Sequence, residues 1–224
     1  MSAGATAPQP AKAVAPTLDR GLEVRDLACR RGARWLFREL HARVDPGSLL
    51  RVAGDNGAGK TSLLRLICGL SEPAAGQVLW RGQPLRMQRE DFNRQLIYLG
   101  HATALKDDLS ALENLCIAAR LGGEPVDAAA ARTALAAAGL AGRERLPARV
   151  LSQGQRRRTA LARLMVQPAG LWVLDEPFNA LDGTAVDWLA ALMQSHLARG
   201  GMLVLTSHQP LPLPAGLPQA SVAL

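Results

Sequence analysis

Aromatic residues are scarce in this chain, and cysteine is scarcer still. Aromatic side chains make up 4% of the 224 residues, so the core must be built mainly from leucine, valine and alanine. The three cysteines are scattered and form no Cys-x-x-Cys pair, which excludes a disulfide framework and a zinc site and is typical of a reducing compartment. Hydrophobic residues at 48% and charged residues at 20% exclude a chain that is disordered throughout.

Long uninterrupted hydrophobic runs are also missing. The longest stretch without a charged residue, 200–224, contains four prolines, and a transmembrane helix needs about 20 mostly apolar residues without such breaks. We therefore expect no membrane-spanning segment. The first 18 residues are rich in alanine and proline and lack the apolar region of a secretory signal, so they predict a flexible tail before a single domain at 19–224.

Basic residues outnumber acidic ones, with 26 Lys and Arg against 19 Asp and Glu, for a net charge of +7. Such a balance favours acidic partners, among them nucleotides, nucleic acid and anionic membrane surfaces. The charge does not choose among these classes, so the choice rests on the motifs.

Short apolar strands alternate with helical segments through most of the chain. We predict strands at 22–27, 36–44, 48–53, 77–80, 96–99, 171–174 and 202–206, and helices at 60–70, 111–121, 126–140, 153–166 and 182–199. The strand at 171–174 is apolar throughout, which is typical of a strand buried in a parallel sheet. The alternation predicts the α/β class.

A glycine-rich loop lies between the strand at 48–53 and the helix at 60–70. Its residues are Gly54, Asp55, Asn56, Gly57, Ala58, Gly59, Lys60 and Thr61, which fit the pattern GxxxxGK[ST]. The glycines let backbone N–H groups turn inward around phosphate oxygens, and the helix N-terminus adds partial positive charge. We predict that Lys60 binds the β and γ phosphates and that the Thr61 hydroxyl is a Mg²⁺ ligand. An ordinary glycine turn would need neither residue.

Two carboxylates follow the buried strand at 171–174. Ligand sites of α/β sheets lie at the carboxyl ends of the strands, so Asp175 is a candidate Mg²⁺ ligand, direct or through water. Glu176 points differently because it is one residue further on, and we predict that it is the general base for an attacking water. A solvated acidic pair is the alternative, and the upstream phosphate loop argues against it.

The segment Leu151-Ser152-Gln153-Gly154-Gln155 resembles the LSGGQ signature of ABC ATPases, with Gln153 at the third position. The motifs also follow that family's order: phosphate loop, LSQGQ, Asp175-Glu176, the D-loop-like Asn179–Asp182, and His208 after an apolar strand. The resemblance covers the chain from about residue 22 to at least His208. It implies an ABC-type P-loop NTPase with a RecA-like core, an antiparallel β lobe and an α-helical lobe at about 102–150.

The family resemblance also implies residue roles. Lys60, Glu176 and His208 would be catalytic, and ATP with Mg²⁺ would lie between two copies docked head to tail. The implied nucleotide contacts are the loop Gly54–Thr61 together with Ser62, Arg31, His101, Ser152, Gly154, Gln155 and Asp182.

Three positions depart from the family pattern. His101 replaces the Q-loop glutamine, and Asn179 stands where serine is commoner in the D-loop. Arg31 stands near where an aromatic residue usually stacks on adenine. An Arg guanidinium plane can stack on a base, or Trp35 could substitute for the missing aromatic residue.

One stretch is more particular within the family. Residues 96–101 read LIYLGH, and LK at 105–106 and LSALENL at 109–115 follow. This pattern resembles the ATP-binding subunits of the cytochrome c maturation system, the haem exporter ATPases. The resemblance implies a peripheral protein on the cytoplasmic face of the inner membrane, with a separate ABC transmembrane subunit and no nucleic-acid partner. Its output would be haem export or release of a haem-loaded chaperone.

Several alternatives stay open. The ATPase of another small ABC exporter would share every motif except the stretch at 96–115. ABC ATPases of DNA repair insert long coiled coils between phosphate loop and signature, whereas about 90 residues without heptads intervene here. Translation-type ABC proteins carry two cassettes, and a P-loop kinase would lack LSQGQ. The run Arg156–Arg158 is typical of a solvated basic helix face, with contact to phosphates or to the dimer partner as the alternative.

Overall fold

Two sheets organise the fold, one antiparallel with four strands and one parallel with five. They are described by a computed structural model that covers residues 21–123, 125–208, 210–214 and 216–224. The flexible tail predicted at 1–18 lies outside the described residues, as does the start of the predicted domain at 19–20.

The strands and helices follow one another in an alternating order. The strands are β1 (Leu22–Arg31), β2 (Arg34–Val44), β3 (Leu49–Ala53), β4 (Ala75–Trp80), β5 (Gln83–Pro84), β6 (Leu96–Leu99), β7 (Leu171–Leu174), β8 (Met202–Thr206) and β9 (Gln219–Ala223). The α-helices are α1 (Lys60–Ile67), α2 (Arg89–Arg94), α3 (Ala111–Leu121), α4 (Ala128–Leu135), α5 (Gln153–Leu161), α6 (Arg163–Val166) and α7 (Gly183–Ala198). Short helical turns occupy Leu85–Met87, Ala136–Leu140 and Ala148–Val150.

The antiparallel sheet has the strand order β2-β1-β4-β5. The long hairpin of β1 and β2 turns at Gly32, whose φ of 60° is in the left-handed region that glycine adopts without strain. Leu22, Val24 and Leu27 of β1 are buried against the main core. This sheet, beside the parallel one, agrees with the predicted α/β class and its antiparallel β lobe.

The parallel sheet has the strand order β6-β7-β8-β3-β9. Every residue of β7 and of β8 is buried, as expected for strands covered on both faces. Since β3, β8 and β7 are neighbours and run parallel, the loops after their carboxyl ends meet at one edge of the sheet. That edge holds the predicted phosphate loop, the acidic pair and His208.

Helices α3 and α4 and the helical turn after α4 pack around an apolar cluster of their own, which includes Leu115, Leu135 and Leu140. The helix predicted at 126–140 begins only after Asp127, which caps α4, and it ends in a wider turn at Gly139, whose φ is 79°. The helix predicted at 153–166 is two helices, α5 and α6, separated at Ala162. Assignment of residues 102–150 to a separate lobe stays a prediction.

No helix among the described residues combines the length and the apolar character that crossing a bilayer requires. The longest helix of this part of the chain is α7, with 16 residues.

Behind the parallel sheet, the imidazole of His196 on α7 stacks on the indole of Trp172 in β7. Their ring centroids are 3.8 Å apart and the rings are inclined by only 6°. His196 is 5% exposed, and its Nε2 lies 3.2 Å from the carbonyl oxygen of Met202. Burial lowers the pKa of His196, the Met202 carbonyl opposes this shift, and the nearby Arg199 charge adds to it. The folded protein therefore favours neutral His196.

Acid should destabilise the fold through His196. Its folded-state pKa is below the unfolded value of about 6.5, so the unfolded chain takes up the proton first and stability falls as pH drops below about 6.5. In His196→Gln the free energy of unfolding, from urea titrations at about pH 7.5 and about pH 5.5, should fall less than in the wild type. His41→Gln is the control because His41 is 61% exposed. An unchanged pH slope in His196→Gln would contradict this assignment.

Candidate functional site

The glycine-rich loop joins β3 to α1 and places Lys60 at the first position of the helix. Gly59 precedes it with a φ of 112°, a conformation that a residue with Cβ adopts only under strain. Lys60 is 8% exposed, and its Nζ donates to the carbonyl oxygens of Gly54 at 2.8 Å and Asp55 at 3.1 Å. The ammonium group is thereby held over the loop in which we predicted phosphate binding.

Asp175, at the carboxyl end of β7, joins three elements through its two carboxylate oxygens. The Thr61 hydroxyl of α1 donates to Oδ2 at 2.7 Å, and the Thr206 hydroxyl of β8 donates to Oδ1 at 2.7 Å. Asp175 is 2% exposed, so these bonds satisfy a carboxylate that is almost out of water. The arrangement puts Thr61 and Asp175, the two predicted Mg²⁺ ligands, in direct contact.

Glu176 is the next residue and has a left-handed backbone, with a φ of 47°. Its N–H donates to the Thr206 hydroxyl at 2.8 Å. Its Oε1 is buried and lies 3.2 Å from His208 Nε2, but without hydrogen-bond geometry, so Oε1 has no hydrogen bond from the described residues. His208 Nε2 also lies 3.1 Å from Lys60 Nζ. A buried carboxylate oxygen with spare acceptor capacity can receive a proton from a bound water.

A cavity of about 470 Å³ opens over these groups, within the size range of small-molecule sites. Its wall contains these predicted site residues: Arg31, Asp55, Asn56, Gly57, Gly59, Lys60, Thr61, Ser62, His101, Asp175, Glu176 and His208. Gly54 and Ala58 belong to the same loop but not to the wall. Ser152, Gly154, Gln155 and Asp182 also lie outside this wall.

Among the described residues, no Phe, Tyr or Trp lines the cavity. Arg31, at the end of β1, lines it, and so does Leu36 of β2. Trp35 does not line the cavity; its ring instead packs between Arg30 and Arg38, whose guanidinium carbons lie 5.7 Å and 4.0 Å from the ring centroid. Of the two base-stacking candidates that the sequence offered, Arg31 is the one at the cavity.

The signature segment forms the N-terminus of α5. The Ser152 hydroxyl accepts a hydrogen bond from the Gln155 N–H at 3.2 Å, and the Gln155 side chain accepts one from the Ser152 N–H at 3.0 Å. A Cβ on Gly154 would lie 2.6 Å from the carbonyl oxygen of Ala180, so only glycine lets the D-loop approach. This capping box orders the helix end, and Ser152 is exposed at its tip.

Asp182 caps α7 through a hydrogen bond from the Ala185 N–H at 3.0 Å, and it pairs with Arg158 of α5. The Ala185 N–H lowers the pKa of the Asp182 carboxyl, and the Arg158 charge acts in the same direction. Asp182 therefore links the D-loop to the signature helix within one chain.

Two residues of the site were not predicted from the sequence. The sequence placed Thr206 only at the end of the predicted strand 202–206, yet its hydroxyl bridges Asp175 and Glu176. The interpretation of Arg156–Arg158 as a solvated face was wrong for Arg157, which is 5% exposed and donates to backbone carbonyls beside Glu176. When consecutive arginines lie on a helix, the sequence alone does not indicate which side chain points into the protein.

Comparison with known proteins gives a consistent result. Residues 37–179 match the ABC transporter family. The chain is 52% identical to the cytochrome c biogenesis ATP-binding export protein CcmA of Dechloromonas aromatica (strain RCB), over 87% of this chain and 96% of that protein. A solved ATP-binding subunit of an ABC transporter shares the fold with a TM-score of 0.74 and 29% identity, covering 84% of this chain and 79% of that one. An ATP-binding cassette solved as a dimer in a post-hydrolysis state with ADP and Pi has a TM-score of 0.72 and 19% identity, covering 84% and 88%.

Removal of the Thr206 hydroxyl should destabilise the fold. Thr206→Val keeps the side-chain shape but leaves the Glu176 N–H and Asp175 Oδ1 without this partner, so we expect a loss of about 1–3 kcal/mol in the free energy of unfolding. The matched control is Thr159→Val, because Thr159 is 1% exposed but its hydroxyl bonds only a carbonyl of its own helix, that of Gln155. Urea unfolding measures both, and equal losses would contradict the special role of Thr206.

Proposed function

The chain belongs to the ABC transporter family, among the cytochrome c biogenesis ATP-binding export proteins, and on this basis we propose that it supplies the energy of ATP hydrolysis to a cytochrome c biogenesis exporter. As a member of this family it binds and hydrolyses ATP. The observation that carries the proposal is the meeting of Lys60, Glu176 and His208 at the carboxyl ends of three neighbouring strands. The output we propose is export of haem or release of a haem-loaded chaperone.

Phosphate binding rests on the loop between β3 and α1. Its glycines, among them Gly57 with a φ of 83° and Gly59 with a φ of 112°, give the loop the left-handed turns with which backbone N–H groups surround phosphate oxygens. The N-terminus of α1 adds partial positive charge, and Lys60 adds a full one. We propose that the triphosphate occupies this part of the cavity and that Lys60 binds its β and γ phosphates.

The oxygen atoms of Thr61 and Asp175 fit Mg²⁺. The Thr61 hydroxyl and the Asp175 carboxylate are hard oxygen donors, and their oxygens lie 2.7 Å apart. Both residues line the cavity beside the phosphate loop. No cluster of three or more His, Cys, Asp or Glu residues capable of holding a metal occurs in the described part of the chain. We propose that the ion takes its remaining ligands from phosphate and water. When bound, Mg²⁺ would neutralise developing charge on the phosphates.

Hydrolysis then requires one activated water. We propose that Glu176 Oε1, buried and without a hydrogen bond from the described residues, accepts a proton from the water that attacks the γ phosphorus. The bond from the γ phosphorus to the bridging oxygen breaks, which leaves ADP and phosphate. His208 lies within 3.2 Å of both Glu176 and Lys60 and is placed to orient the water and bind the γ phosphate.

A complete site requires a second copy of the chain. Ser152, Gly154 and Gln155 lie outside the wall of their own chain's cavity, at the tip of α5, and Ser152 is exposed. An exposed helix N-terminus with a serine hydroxyl is suited to an anion that another molecule presents. We propose a head-to-tail dimer in which these residues contact the γ phosphate of the nucleotide held by the partner copy, with Asp182 beside it.

The membrane side of the proposal rests on the relatives. Because the similar proteins are named as export proteins, we propose that this chain works with an ABC transmembrane subunit of the cytochrome c maturation system. It would then be peripheral, on the cytoplasmic face of the inner membrane. We propose that the positive charge of the chain serves nucleotide binding, and we propose no nucleic-acid partner.

Replacement of the general base should separate binding from chemistry. Glu176→Gln should lower the turnover of ATP by about 10²–10⁴-fold, because the amide cannot accept the proton, while ATP affinity changes little. Lys60→Ala should instead weaken ATP binding by about 10–100-fold, since a charge-assisted phosphate contact is lost. Steady-state ATPase assays and equilibrium binding of a fluorescent ATP analogue measure the two effects. Glu90→Gln is the control, because Glu90 is an exposed carboxylate on α2.

The cellular role is tested by haem staining. Cells in which Lys60→Ala replaces the wild-type chain at equal protein level should lack covalent c-type haem and accumulate haem-loaded chaperone, since ATP binding is weakened and the Lys60 contact with the β and γ phosphates is lost. Staining of membrane and periplasmic proteins for haem after gel electrophoresis shows this. Normal c-type cytochromes in those cells, together with some other export defect, would reject the cytochrome role and leave the ATPase assignment standing.

A further inference from the structure

Arg157 is buried inside the site without touching the cavity. It lies on α5, is 5% exposed, and donates to four backbone carbonyls from two separate loops. Nη2 donates to Asp175 O at 2.7 Å and to Glu176 O at 2.9 Å, Nη1 to Gly100 O at 2.9 Å, and Nε to Pro177 O at 3.4 Å.

These acceptors determine what Arg157 can control. The carbonyls of Asp175 and Glu176 belong to the two peptide planes on either side of the Glu176 Cα, and the relative orientation of those planes is the φ and ψ of Glu176. Because one nitrogen binds both oxygens, the guanidinium fixes that orientation. The Pro177 carbonyl extends the same contact to the following peptide.

The conformation held in this way is an unfavourable one. Glu176 has a φ of 47°, which costs a residue with Cβ roughly 1–2 kcal/mol and persists only where the surroundings enforce it. On the other side of the turn, the Thr206 hydroxyl holds the Glu176 N–H at 2.8 Å. The turn is thus fixed from α5 and from β8, and the Glu176 carboxylate that it carries lies 3.2 Å from His208 Nε2.

The contacts also require an arginine. Four donors of a planar fork reach four oxygens in different directions, which the three donors of a lysine ammonium on a flexible stem cannot reproduce. Burial lowers the pKa of Arg157, and the charges of Asp175 and Glu176 oppose that shift. A cation is placed here, out of water, and it donates to uncharged carbonyl oxygens, three of them in the turn that carries Glu176 and one at Gly100.

We propose that Arg157 is a positioning residue that holds the backbone of Glu176 and thereby aims its carboxylate at the attacking water. The same side chain ties the turn to the signature helix α5 and to Gly100, the residue before His101. This inference rests on the proposed function, in which Glu176 is the general base, and it adds a residue that acts on hydrolysis without contacting ATP.

The test is a comparison of turnover and affinity in the full-length protein. Arg157→Lys keeps the charge but loses most of the fork, so kcat for ATP hydrolysis should fall by about 10–100-fold, as misplacement of a catalytic group by about 1 Å does. The KM for ATP and the affinity for a fluorescent ATP analogue should stay within about twofold. The matched control is Arg163→Lys on α6, whose side chain is also largely desolvated but donates to the Gln167 side chain, and its kcat should be unchanged.

A double mutant identifies the group through which Arg157 acts. In a Glu176→Gln background, Arg157→Lys should lower the residual hydrolysis no further, because the carboxylate it positions is gone. Multiplicative losses would overturn the proposal, and so would an unchanged kcat in a folded Arg157→Lys protein. Arg157→Gln is the second variant, and failure of both variants to fold, judged by circular dichroism, would show that Arg157 holds the fold instead.

The two hypotheses fail in different ways. Absence of ATP hydrolysis by the wild type would reject the proposed function, whereas full activity of Glu176→Gln would reject Glu176 as the general base. A wild-type protein that needs Glu176 but tolerates Arg157→Lys would reject only the inference about Arg157.

Discussion

The Asp175 carboxylate is the interaction on which the rest of the site depends. Hydroxyl groups from α1 and from β8 donate to its two oxygens, so one buried side chain aligns the phosphate loop, the end of β7 and the end of β8. Such alignment is possible only because the strand order β7-β8-β3 makes these three chain segments neighbours. The sheet brings the loops to one edge, and the hydrogen bonds of Asp175 hold α1 and β8 against the end of β7.

Much of this arrangement could be predicted from the sequence, because it depends on local patterns of residues. Glycines between a strand and a helix indicate the phosphate loop, and four apolar residues before two acidic ones indicate β7. The strands 96–99, 171–174 and 202–206 and the helix 111–121 have the predicted bounds. The α/β class and the family resemblance agree with the fold and with the comparisons.

What could not be predicted depends on contacts between distant segments. Arg157 stands in a run of three arginines that differ only in which direction each points, and that direction is set by the packing of α5 against the Glu176 turn. The sequence predicts Thr206 only as the last residue of a strand, because its role depends on contacts with Asp175 and Glu176. Strand β9 was missed because its residues are mostly exposed and its partner is β3, far away in the chain. The short helix α2 was missed for lack of a sustained apolar period.

The strand order has a consequence for synthesis of the protein on the ribosome. Among the described residues, strand β3, which leads into the phosphate loop, pairs only with β8 and β9, and both come much later in the chain. Residues 148 positions apart meet when Lys60 contacts His208, and 114 positions separate Thr61 from Asp175. Since chains emerge from the amino end, a nascent chain holds an unpaired β3 until β8 has left the ribosome. A chain that ends before β8 therefore has the phosphate loop but lacks Thr206 and His208, so the contacts of the site form only after β8 has been synthesised.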